Sequence, residues 1–135
     1  MADIGYFGTP LVKKFAINPE MKILLMHRPE NYFEWLDVDI SQQFAVNETP
    51  DLIHLFATNN AFFKKEMKSV LKFYKKYTSV MVWISWCKKS AGIVTDLSEN
   101  LIREFALQNN LVNIKVCAVS NEWSGLKLVV PVAKR

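Results

Sequence analysis

Three runs of nearly continuous apolar residues, Met21–His27, Asp51–Ala57 and Thr78–Trp86, constrain this chain more than any other feature. Each has the length of a strand. None alternates with polar residues at every second place, as a strand with one wet face would. Such runs suit strands covered on both faces, the situation in a parallel sheet flanked by helices. The most apolar stretch, Val80–Cys87, is interrupted by Ser85 and is far too short to span a bilayer.

The segments between the runs carry helix signals. Thr9-Pro10 places an N-cap and a first-turn proline before a short helix that reaches about Ala16. Asn31–Leu36 reads as a second short helix. Val38, Ile40, Phe44 and Val46 keep period two, which predicts a half-buried strand near a sheet edge. Asn59 or Asn60 caps a long helix to about Tyr77, with Phe63, Met67, Val70 and Tyr74 in one apolar stripe. Asp96 with Glu99 forms an acidic capping box for a helix to about Gln108, stopped by Asn109-Asn110. Val112–Val119 and Leu126–Val132 read as a closing hairpin across Ser120–Gly125, where Gly125 would supply a positive φ.

Strands alternating with helices imply right-handed crossovers. The prediction is one domain over residues 1–135, a three-layer α/β sandwich with helices on both faces. Its open sheet would have six strands, mostly parallel, with the last antiparallel. A parallel sheet that closes in a hairpin resembles a reduced class I methyltransferase form of the Rossmann fold. That resemblance implies the strand order second, first, third, fourth, sixth, fifth.

Charge is unevenly placed. Residues 61–77 hold six lysines against Glu66, whereas residues 28–51 set six acids against Arg28. The net charge of +4 therefore belongs to one segment and is not the footprint of a chain-wide nucleic-acid binder. Lys64, Lys68, Lys72 and Lys76 form the wet face of the long helix. The aromatic residues lie on its opposite stripe, so no stacking platform accompanies the lysines. A solvated face is the plain reading. The alternatives are a patch for a polyanion such as nucleic acid, for an acidic protein, or for the chain's own acidic segment.

Cys87 and Cys117 are unclustered, and neither they nor the two histidines, His27 and His54, fall at metal-ligand spacing. Free thiols, with no signal-type apolar block in Met1–Phe15, lead us to expect a cytoplasmic protein without a metal.

Three segments carry a family resemblance: Gly5-Tyr6-Phe7-Gly8-Thr9-Pro10-Leu11, Lys88-Lys89-Ser90-Ala91-Gly92-Ile93-Val94-Thr95-Asp96-Leu97, and Lys115–Val119 with Trp123–Val129. Together they resemble the small bacterial family known as domain of unknown function 3052, over nearly the whole chain. The resemblance implies a bacterial, cytoplasmic protein with a Rossmann-like fold. It implies no activity.

A methyltransferase or dinucleotide site needs a glycine-rich turn after the first strand, so that backbone can approach the ligand. Here that turn is His27-Arg28-Pro29-Glu30-Asn31. The carboxylate that would end the second strand is replaced by Ala45-Val46-Asn47, with Glu48 beyond. No cofactor is expected, and a degenerate methyltransferase stands only as an alternative. No catalytic set emerges from spacing. His27, at a strand end, is the one residue placed to act as a general base, and His54 reads as a core histidine.

In a parallel sheet the ligand-binding edge is the carboxyl edge. The predicted topology brings Arg28, Lys88 and Lys89 to that edge, with Ser90, Thr9 and Trp123 of the family-like segments. Charge, hydroxyls and an aromatic wall would there suit a small anionic ligand or a protein partner. The balance of these features weighs against an enzyme.

Overall fold

The computed structural model describes residues 15, 17–29, 32, 40, 42–45, 50–76, 79–88, 95–120 and 122–131, the side chains of 74–76 excepted. Strands β1 (Ile23–Met26), β2 (Leu52–Phe56) and β3 (Met81–Cys87) form the three apolar runs. Helix α1 (Asn60–Lys76) lies between β2 and β3. Helix α2 (Glu99–Gln108), β4 (Val112–Ala118) and β5 (Trp123–Val129) follow. The architecture is mixed α/β, with one five-stranded sheet in the order β1-β2-β3-β5-β4.

β1, β2 and β3 pair in parallel, and β5 runs antiparallel to both β3 and β4. That is the order the methyltransferase-like resemblance implies for these five strands. The predicted edge strand at 38–46 is only partly described, and what is described is not a continuous strand. Gln43 N–H bonds back to Ile40 C=O at 2.9 Å in a turn. Phe44 then makes a single parallel bridge to Ile23, on the side of β1 away from β2.

Strand alternation sorts the core into two layers. Ile53, Leu55, Val82, Ile84, Trp86, Leu126 and Leu128 face one side, where they meet Phe63, Met67 and Val70 of α1 and Ile102 and Ala106 of α2. Ile23, Leu52, Phe56 and Trp83 face the other, under Phe15, Tyr32 and Ile40. Both faces are covered, but α1 and α2 share one of them. The helices predicted at 9–16 and 31–36 lie outside the described residues, apart from Phe15 and Tyr32.

Two local expectations are corrected. The hairpin turn is tighter than Ser120–Gly125: Val119 and Ser120 N–H groups both bond to Trp123 C=O, at 3.0 and 3.2 Å. Gly125 therefore lies inside β5, with no positive φ. It is needed for close approach instead, because a Cβ there would stand 2.9 Å from Val119 Cγ2 and 3.4 Å from Trp83 Cε3. The second correction concerns α2. Its N-cap is Ser98, whose side chain accepts Leu101 N–H at 3.3 Å. Asp96 serves the other helix, its Oδ1 accepting Asn60 N–H at 2.7 Å.

His54 is the core histidine its position suggested. Nδ1 lies 3.2 Å from the Tyr32 hydroxyl and Nε2 2.6 Å from Ser85 Oγ. The ring stacks on Phe56 at 4.2 Å. Loss of water around it lowers its pKa to about 3, so it stays neutral between two hydroxyls that can each donate or accept.

Candidate functional site at the carboxyl edge

β1, β2 and β3 end on one edge, and β5 starts there because it runs the other way. The antiparallel register sets Cys87 beside Trp123 and Trp86 beside Ser124. Lys88 N–H extends the ladder to Glu122 C=O at 2.8 Å. Ser120 Oγ accepts from the N–H groups of Glu122 and Trp123 at 3.2 and 3.3 Å, which fixes the hairpin tip.

The approach to α2 is held from the opposite side. Thr95 Oγ1 donates to Thr58 C=O at 2.6 Å and accepts Leu97 N–H at 3.1 Å. With the Asp96 cap on α1, this ties segment 95–97 to the end of β2. Between these two anchored parts lies an open cavity of about 430 Å³, lined by Trp86, Cys87, Lys88, Ser98, Glu99 and Ser124 among others. Its lining residues include a lysine, two serines and a tryptophan, beside the first turn of α2. The carboxylate in its lining, Glu99, is ion-paired to Arg103 one turn along α2.

Of the predicted ligand residues, Lys88 lines the cavity, whereas Trp123 is paired with Cys87 in the β3–β5 register and packs outside that lining. Trp123 gives its edge to Phe56, with ring centroids 5.0 Å apart. It lies within β5 rather than at the hairpin tip and partly roofs the second core layer. Arg28 follows β1 on the same edge, roughly 10 Å from β3 by two strand spacings. Thr9, Lys89 and Ser90 lie outside the described residues. Lys64, Lys68 and Lys72 are exposed on α1, and Lys76 ends that helix.

Cys87 is buried, and burial pushes its thiol pKa up, helped by the Glu122 carboxylate. The neighbouring lysine thus does not activate it. Among the described residues, no group of three or more histidine, cysteine or acidic side chains could hold a metal. No helix of the described residues is long and apolar enough to cross a membrane.

One pair escaped the sequence reading. His27 Nε2 lies 2.6 Å from Glu66 Oε1, on the second turn of α1. His27 also has φ 60, a left-handed backbone that costs a non-glycine residue about 1–2 kcal/mol. The turn after β1 therefore takes the glycine-type conformation without a glycine. The separation of 39 residues between the partners explains why the pair is invisible in local patterning.

No family model matches this chain, and no curated protein matches it.

Proposed function

We propose that this chain is a Rossmann-like domain that binds a small anion at the carboxyl edge of its sheet, without catalysis at that cavity. The observation that carries the reading is the cavity itself. Lys88, Ser98, Ser124 and the first turn of α2, where Glu99 is paired to Arg103, line one space of about 430 Å³. Helix starts and ammonium groups both favour negative charge. A phosphate or carboxylate is the group this set would take, with Trp86 as apolar wall. Kinship with the bacterial family of unknown function is part of the same proposal.

A thermal-shift screen with inorganic phosphate, pyrophosphate, nucleotides, phosphorylated sugars and heparin tests it. A small anion should raise the melting temperature. Lys88→Ala should weaken that ligand at least about tenfold, the size of one lost charge-assisted contact. Lys68→Ala with Lys72→Ala should leave it unchanged. The reverse pattern, with heparin as the stabilising compound, would sink the cavity reading. It would move function to the exposed lysines of α1, the second reading that their shared face supports.

A further inference from the structure

The carboxyl end of β1 holds a separate constellation. After β1 the chain returns at Phe44, in parallel, on one side of β1. It then crosses to β2 on the other side. Connections from β1 and into β2 thus diverge, and in open α/β sheets ligands sit outside the strand ends where that happens. His27 stands at this point. Thr58 and Asn59, between β2 and α1, are exposed on the neighbouring strand end.

α1 holds the His27 ring from one side. Glu66 Oε1 accepts from Nε2 at 2.6 Å, and the ring packs edge-on to Phe62 at 4.7 Å. Phe62 and Glu66 are one helical turn apart, so a single face of α1 supplies both contacts. The His27 side chain is 51% exposed. A carboxylate on Nε2 keeps the proton there and leaves Nδ1 as the acceptor. His27 holds a left-handed backbone that glycine would take without strain, and such strain is found at sites where side-chain placement matters.

We propose that His27 and Glu66 form an acid–base pair for a ligand held outside the ends of β1 and β2. His27 Nδ1 accepts the proton of a ligand hydroxyl. The O–H bond breaks with its electron pair left on oxygen, the Nδ1–H bond forms, and Glu66 balances the new positive charge. Arg28, the next residue and exposed, sets a guanidinium beside the pair, so the ligand class we assign is a small hydroxyl compound with an anionic group. His27 is the group that meets the ligand, and Glu66 is a positioning residue. This proposal does not depend on the Lys88 cavity.

Diethyl pyrocarbonate reads the pair directly. The Nδ1 lone pair attacks a reagent carbonyl, and ethyl carbonate leaves and breaks down to ethanol and carbon dioxide. The Nε2 proton then passes to solvent. His54 is fully buried, so His27 is the histidine expected to react. A half-covered imidazole without activation reacts more slowly than a free one. We expect the limiting rate at high pH to exceed that of N-acetylhistidine at least threefold. Glu66→Gln should bring it to or below that of N-acetylhistidine, with circular dichroism unchanged, and Glu66→Asp should fall between. Glycerol 3-phosphate should slow the reaction of the wild type and not of Arg28→Ala. A wild-type rate no faster than N-acetylhistidine, or one that Glu66→Gln leaves unchanged, overturns the acid–base pair. Indifference to glycerol 3-phosphate overturns the assigned ligand class.

Discussion

The carboxylate of Asp96 accepts the backbone N–H of Asn60 at 2.7 Å, so the first turn of one helix is capped from the loop that leads into the next. The bond joins residues 36 apart in sequence. It satisfies one of the N–H groups a helix leaves open at its start and sets negative charge against the helix dipole.

Asp96→Ala removes both effects and should destabilise the protein by about 1 kcal/mol, the usual cost of losing a cap. Asp96→Asn keeps an acceptor and should cost only a few tenths of that. Urea denaturation with an unchanged slope is the check. An alanine variant as stable as the wild type would mean the contact contributes nothing.

His54 makes stability depend on acid. Its folded pKa is lowered to about 3 by burial, against about 6.5 in an unfolded chain. Below about pH 6.5 the unfolded state binds a proton that the folded state refuses. This contribution is fully present above that pH and is lost as pH falls towards 3. The single-proton slope is about 1.4 kcal/mol per pH unit. Melting temperatures measured from pH 7 to pH 4 should show this loss, and His54→Gln should lack that component while being less stable at pH 7.

Gly125→Ala should destabilise by about 1–3 kcal/mol, because its Cβ would meet Val119 Cγ2 at 2.9 Å and the Trp83 ring at 3.4 Å. Neither neighbour can swing aside, since both are fully buried. Pairing Gly125→Ala with Val119→Ala should recover part of the loss in a double-mutant cycle. A strictly additive cycle would show that the clash is relieved elsewhere.

These contacts mark what the sequence does and does not disclose. The buried strands and the burial of His54 follow from continuous apolar runs, and the stripe of Phe63, Met67 and Val70 from periodicity, both local properties. The order of the five strands came from the resemblance to a methyltransferase-like sheet; crossover handedness and the closing hairpin supplied only the parallel run and the antiparallel last strand. Asp96 was assigned to the nearer helix because a capping box is recognised within four residues, whereas its real partner is set by packing. Gly125 suggested a turn, since glycine spacing does not distinguish positive φ from a crowded strand. At the candidate site, the shared edge of Lys88 and the start of β5 was legible once β5 was antiparallel to β3, but the packing of Trp123 on Phe56, outside the cavity, was not. The Glu66 partner of His27 was not, because no pattern within β1 or α1 points from one to the other.

β5 is the last described strand in the chain, yet it lies between β3 and β4 in the sheet. During synthesis the edge of β3, with its two tryptophans and its isoleucine, stays open until Trp123–Val129 has emerged. At ordinary translation speeds that is a delay of roughly 2–8 s. For that interval the nascent chain displays the kind of strand edge that recruits other chains. Its yield in a cell therefore depends on how fast the ribosome delivers the hairpin, as well as on how stable the finished sheet is.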